Sequence, residues 1–330
     1  MNKAPTLLLS RRDLASLMRP PEYLRAAEAA FRAVGEGRAH TAAPMHIEAS
    51  EGVFHAKGGA LQDERAYVVL KFNANFPGNP ARAGLPTIQG AILLCDAENG
   101  ALLCILDSVE ITLRRTAAAS ALAARLLAPK EARRLLLCGC GVQGQAHAEA
   151  MAGLFSFEEA FCWDADPAKA VALAKVLSEF APRASAVRDL SVADRCEIIV
   201  TTTTSTSPFL RPEHVAPRAF IAAVGADNPN KSELTPDLVA RAALICDSAA
   251  QCASMGDLHH ALAAGAISLD DVRCELSDVL LGGRARFVRK EEIVIFDSTG
   301  LAVQDAAAAA MAYERAREAG VGISWTPNDA

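Results

Sequence analysis

Apolar residues recur along this chain with two periods, and the switches between them mark out its regions. Between residues 13 and 36 they fall at helical spacing: Asp13 is placed to cap one helix, and Pro20 and Pro21 open a second that ends near Gly35. From 42 to 112 the pattern turns strand-like. Ala66–Phe72, Thr87–Cys95 and Leu102–Asp107 are apolar and β-branched, and Asn99-Gly100 between the last two is a hairpin signal. The stretch 73–86, rich in Asn, Pro and Gly, is long for a mere connector. Thr116–Leu127 then reads as an alanine-rich linking helix, opened by Arg115 and closed by Pro129. After it, short apolar runs at 135–138, 160–164, 197–202, 219–224, 243–247 and 293–296 alternate with helical stretches. That alternation predicts an α/β fold with a doubly wound parallel sheet. Ala302–Ala319 is a last long helix, with Gly320 past its end. The expected division is a first domain of residues 1–115, rejoined by the C-terminal segment 302–330, and a second of 116–301.

The first strand of the alternating region, Leu135–Cys138, runs directly into Gly139-Cys140-Gly141-Val142-Gln143-Gly144, and a helix follows. Strand, Gly-x-Gly-x-x-Gly and helix in that order are the dinucleotide fingerprint. The glycines serve the tight turn, the close approach of backbone to a pyrophosphate, and the packing of helix on strand. The helix start offers unpaired N–H groups and a positive dipole end to the phosphates. The next strand ends in Asp164, placed to bind ribose hydroxyls; Ala165, Asp166 and Pro167 follow it with no arginine to accept a 2′-phosphate. NAD(H) is therefore favoured, with NADP(H) the alternative.

Composition narrows the picture. At 330 residues and 51% hydrophobic content the chain can bury a large core. A net charge of −6 without a basic block argues against nucleic acid or an anionic membrane as partner. No apolar run approaches the roughly 20 residues of a membrane span, and no leader pattern is visible, so a cytoplasmic protein is expected. Nine cysteines lie mostly in strand-like runs, as free thiols do in a reducing compartment. Cys138 and Cys140 are spaced wrongly for a zinc or redox motif, and no metal is expected.

Four segments together resemble the ornithine cyclodeaminase/mu-crystallin family: Lys71–Pro77, Gly84–Gly90, Thr112–Ala119 and Val224–Leu234. Within it, Phe54–Gly58, Asp107–Thr116 and Cys138–Gly144 are most similar to the Δ1-pyrroline-2-carboxylate reductase branch. The resemblance implies a split N-terminal α/β domain for substrate and dimerisation, and a Rossmann domain for NAD(P)(H). It also implies chemistry through an imine at the α-carbon of an amino acid. Such a reaction needs a cationic grip on the carboxylate, a proton source near nitrogen and a water-poor nicotinamide pocket.

By that resemblance Lys71 and Arg115 hold the substrate carboxylate, with Thr299 also at the substrate. Asp227 is the acid/base residue, and Lys71 is catalytic as well as binding. Thr87, Arg115, Thr116, Val142, Gln143, Thr203, Val224, Lys231 and Ser298 match cofactor positions, alongside Gly139, Gly141, Gly144 and Asp164. The bland readings are a strand-edge lysine for Lys71 and a turn aspartate for Asp227. His259 and His260 read as structural.

Two departures from the family pattern matter. Where many members carry a second carboxylate-binding arginine, this chain has Pro44-Met45-His46. Where ornithine-cyclising members place an acid, it has His55 and Lys57, which would repel a distal ammonium. His46 is then a weaker carboxylate contact and His55 a candidate proton donor. The expectation is a homodimeric imine reductase converting Δ1-pyrroline-2-carboxylate to L-proline. The family alternatives are an alanine or N-alkyl-amino-acid dehydrogenase and a cyclodeaminase. A rival of another class is a non-catalytic ligand-binding protein, against which the intact glycine motif, Lys71, Arg115 and Asp227 all stand.

Overall fold

The computed structural model describes residues 5–63, 65–283 and 287–326. The chain divides into two compact units, residues 1–115 with 301–330, and residues 116–300. Among the described residues no helix is long and apolar enough to cross a membrane.

The first unit is built on a mostly antiparallel sheet. Its strands are β1 (Thr6–Leu9), β2 (Ala39–Thr41), β3 (Met45–Ala49), β4 (Gly52–Gln62), β5 (Ala66–Asn75), β6 (Ile88–Asp96), β7 (Leu102–Asp107) and a C-terminal strand, Ile323–Trp325. The C-terminal strand, β1, β7, β6, β5, β4 and β2 follow one another across the sheet, and β3 also pairs with β4. The β6–β7 hairpin turns through Gly100 at φ +74°, as the Asn-Gly step predicts. Helices α1 (Arg11–Leu17) and α2 (Pro20–Gly35) precede β2, and the long connector after β5 contains a short helix, α3 (Asn79–Ala83). The cap of α1 is Ser10; Asp13 is its third residue, and its carboxylate reaches back to the Ser10 amide. The pair forms a capping box.

Helix α4 (Ser108–Leu127) begins eight residues before the expected Thr116, so Arg115 lies inside a helix and does not open one. Val109, Ile111 and Thr112 mimic a continuing strand because β-branched side chains favour β structure. The helix wins because the Asp107 carboxylate caps it, accepting from the Glu110 amide at 2.8 Å.

Strand β5 alternates strictly, but with an inverted chemistry. Its outward face carries the exposed Val68, Leu70 and Phe72, while its inward face carries Tyr67, Val69, Lys71 and Asn73. The C-terminal helix (Ala302–Ala319) packs on β4, β5 and α2. Its alanine run keeps it thin: a Cβ on Gly59 would stand only 3.0 Å from the Ala302 methyl. A helix that close brings its polar residues down onto the sheet.

The second unit is the doubly wound parallel sheet that the alternation predicts. Strands β8 (Arg134–Cys138), β9 (Glu159–Trp163), β10 (Arg183–Ala186), β11 (Ile198–Thr201), β12 (Phe220–Ala223), β13 (Ala243–Cys246), β14 (Cys274–Glu275) and β15 (Val294–Asp297) are all parallel. Their order is β10-β9-β8-β11-β12-β15-β13-β14. The direction of winding reverses between β8 and β11, which is where open α/β sheets bind ligands. The apolar runs do not mark the two edge strands, β10 and β14: the first is polar and the second has two residues.

Candidate functional site

In the second unit the fingerprint takes its expected shape. Gly139 follows β8 at φ +97°, and a Cβ there would stand 2.8 Å from the carbonyl carbon of Thr202. Gly144 faces the Gly139 carbonyl oxygen so closely that any side chain would collide with it. Gly141 differs: a Cβ there would meet nothing within 4 Å, so its missing side chain leaves open space at the start of α5 (Val142–Ala152). A bare helix start beside open space is what a pyrophosphate needs. Val142 is exposed at the first turn. The α5 residue His147 is buried between the Ser120 hydroxyl at 3.0 Å and the Gln143 carbonyl at 2.8 Å, and burial brings its pKa down to about 4. It is thus a neutral core residue. Asp164 sits just past β9, its Oδ2 accepting from the Cys140 amide at 2.7 Å and its Oδ1 from the Asp166 amide at 2.8 Å. The carboxylate is thereby tied to the glycine turn.

Farther along the same sheet edge, buried carboxylates organise the loops. Glu233 accepts from the Thr203 amide at 2.6 Å, the Gly225 amide at 2.8 Å and the Thr201 hydroxyl at 2.5 Å. One side chain thus fastens the ends of β11 and β12, holding the candidate cofactor residue Thr203 and the glycine that follows Val224. Burial first, then the nearby Asp257 charge, push Glu233 up to about 7, against the pull of its bonds to Thr201 and Thr203. Asp247 gathers the Ser298 hydroxyl and the amides of Thr299 and Gly300 at 2.7–3.0 Å. The Thr299 hydroxyl also accepts from Gln251 at 2.8 Å. Thr299, expected at the substrate, is therefore held by a buried network of its own unit. Asp227 is half-exposed and pairs with Lys231 at 2.7 Å. His260 binds the Lys231 carbonyl and His259 that of Ala253, in keeping with structural roles.

In the first unit the inward face of the sheet collects the other candidates. Lys57 stands directly across from Lys71, and His55 from Asn73, in the β4–β5 register. His46 is in turn paired with His55 across β3–β4, their Nδ1 atoms 2.7 Å apart, so one ring donates and the other accepts. Thr87 lies just before β6, its carbonyl accepting from the Phe76 amide at 2.9 Å.

Lys71 is 5% and Arg115 6% exposed, and a carboxylate not expected from sequence joins them. Asp305, on the C-terminal helix and wholly buried, is 2.7 Å from Lys71 Nζ and 2.9 Å from Arg115 Nε. Its neighbour Gln304 accepts from Arg115 Nη1 at 2.9 Å. Burial pulls Lys71 down to about 7; Asp305 opposes this, while Arg115 and Lys57 add to it. Asp305 itself is lowered: burial would raise it, but the charges of Lys71 and Arg115 outweigh that. Among the described residues no group of three or more metal-ligating side chains occurs.

Residues 5–320 match the family model described as ornithine cyclodeaminase/mu-crystallin. An iminosuccinate reductase of Paracoccus denitrificans is 35% identical over 96% of this chain and 98% of its own length. An archaeal alanine dehydrogenase, solved as a dimer with bound NAD, superposes with a TM-score of 0.92 at 32% identity, over 98% of this chain and 99% of that one. The Δ1-pyrroline-2-carboxylate reductase of Thermococcus litoralis, solved with NADH and L-proline, gives 0.89 at 29% identity, over 97% and 100%.

Proposed function

Since the chain belongs to the ornithine cyclodeaminase/mu-crystallin family, we propose that it is an NAD(H)-dependent reductase of a cyclic 2-imino acid, with Δ1-pyrroline-2-carboxylate as substrate and L-proline as product. Oxidoreductases acting on imino or amino acids are among its relatives, and two of them were solved with NAD or NADH. The observation that carries the finer reading is the inward face of the first unit's sheet. It lines up Lys71, Lys57, His55 and His46 on neighbouring strands, and Asp305 joins Lys71 to Arg115. Such a surface suits an anionic substrate and disfavours the distal ammonium of a diamine. That weighs against cyclisation of ornithine.

The cofactor residues fit the group they would hold. Gly139, Gly141, Gly144 and the start of α5 accommodate a pyrophosphate, and Asp164 an unphosphorylated ribose. The nicotinamide, when bound, supplies hydride to C2. Arg115 and Lys71 hold the carboxylate and fix the orientation of the ring, with His46 assisting. The proton for nitrogen comes from Asp227 or His55. Lys71, which burial brings down to about 7, is suited to exchange a proton near neutral pH.

We infer further that the working form is a homodimer. The outward face of the same sheet exposes Met45, Ile47, Val68, Leu70 and Phe72 together, with Phe54 stacked on Phe72 at 5.3 Å. A contiguous apolar face of this kind marks an interface.

The test is a substrate panel followed at 340 nm: NADH or NADPH with fresh Δ1-pyrroline-2-carboxylate, NAD with ornithine, and NADH with pyruvate and ammonia or methylamine. Oxidation of NADH with the cyclic imine is expected. Turnover confined to pyruvate and ammonia would transfer the assignment to an alanine dehydrogenase. Ammonia release from ornithine without net redox change would make it a cyclodeaminase.

A further inference from the structure

Lys71 and Arg115 come from different elements, a strand and a helix, yet both are directed by two consecutive residues of a third. Asp305 takes Lys71 Nζ on one oxygen and Arg115 Nε on the other. Gln304 takes Arg115 Nη1. Two nitrogens of the guanidinium are thus fixed in plane, and among the described residues its third, Nη2, makes no hydrogen bond. The Gln304 amide nitrogen, on a side chain 1% exposed, also has no hydrogen-bond partner among them. A buried donor without a partner is rare and costly in a folded protein. Here the Gln304 amide nitrogen is one, on a side chain that binds one of two buried cations.

We propose that the Gln304–Asp305 pair positions Lys71 and Arg115 for the substrate carboxylate, an assignment that rests on the imino-acid reading above. Asp305 serves as a fixed counter-ion that makes two buried cations tolerable, and it orients both. Gln304 locks the guanidinium, so that its remaining edge and the neighbouring amide face the ligand together. Because Lys71 and Arg115 share the single carboxylate of Asp305, the pair keeps a positive charge for an acid to neutralise. The groups facing Lys71 are Asp305 from the C-terminal helix, Arg115 and the Thr112 hydroxyl from α4, Lys57 from β4, and the apolar Ile92 from β6. His55, paired with His46, lies one step along the same face.

Two variants of the full-length protein test this, Asp305→Asn and Gln304→Met, each read against folding, NADH binding and the pH profile of kcat/KM. Asp305→Asn is expected to lose roughly 100-fold in kcat/KM, as removal of one partner of a buried charge pair does. Without Asp305, burial and the neighbouring cations act on Lys71 unopposed. The basic limb of the profile, near neutral pH in the parent, is then expected to move to lower pH. Gln304→Met is expected to raise KM roughly tenfold with kcat little changed, the mark of lost uniform binding. NADH affinity should hold in both.

A folded Asp305→Asn with parental kcat/KM and an unshifted limb would overturn the proposal. If Asp305→Asn fails to fold, Gln304→Met decides: an unchanged KM overturns the proposal and a raised one supports it. A parent protein inactive on the whole panel would sink the functional reading instead. Calorimetry with pyrrole-2-carboxylate, a planar unreactive acid, would then apply the same two variants to binding alone. A parent that binds no such acid would overturn both.

Discussion

Gly141 and Gly144 share one motif but answer to different forces. Gly144 is required by packing against the Gly139 carbonyl, whereas Gly141 has open space where a side chain would go. Gly144→Ala should therefore destabilise the second unit by about 1–3 kcal/mol, the cost of overpacking, and lower the melting temperature by several degrees. Gly141→Ala should melt within about 2 °C of the parent yet bind NADH at least roughly tenfold more weakly, because its methyl stands where a pyrophosphate would lie. Calorimetric melting with an NADH fluorescence titration separates the two, and equal behaviour would contradict the assignment of Gly141 to the cofactor. At this scale the glycines, Lys71 and Arg115 stand out in the sequence as candidates, the last two because each breaks the chemistry of its surroundings: a lysine in a β-run, an arginine at the head of an alanine-rich stretch. Asp305 was not legible. A lone acid in an alanine tract looks like a solvated helix position, and only the close approach of that helix to β5 buries it.

Among the elements, the strands around the fingerprint were readable because parallel strands buried on both faces are continuous apolar runs. The start of α4 was not, because its first turns carry β-branched residues and its cap, Asp107, is also the last residue of β7. The fastening of the β11 and β12 loops was hidden too: Glu233 lies in the Val224–Leu234 segment, but nothing in sequence says that three donors converge on it. Its pKa is raised by burial to about 7, above the ordinary 4.5, so between those values the native state binds more protons than the unfolded chain. Its contribution to stability is then present below pH 4.5 and is lost as pH rises through about 7. Glu233→Gln should accordingly flatten the fall in melting temperature between those two pH values. It should also weaken NADH binding by roughly tenfold, since an amide cannot accept from all three donors. An unchanged pH dependence of melting in a folded variant would show that Glu233 is ionised throughout.

For the molecule as a whole, the inverted alternation of β5 would link the proposed assembly to the proposed chemistry. One face of a single strand exposes Val68, Leu70 and Phe72 while the other buries Lys71. The sequence marks Ala66–Phe72 as a strand but not which face is covered, because an apolar outward face and an apolar core look alike until a helix is seen to lie on the polar side. Leu70→Asp should convert the dimer into a monomer by light scattering, with NADH binding retained; a parent that is already monomeric would remove this role from the face. The central claim, reduction at C2 of a cyclic imino acid, is most directly tested with NADH deuterated at the transferable position and Δ1-pyrroline-2-carboxylate, reading the product by mass spectrometry. L-Proline carrying one deuterium at C2 is the expected product. Unlabelled proline, or none while pyruvate and ammonia yield labelled alanine, would contradict the account.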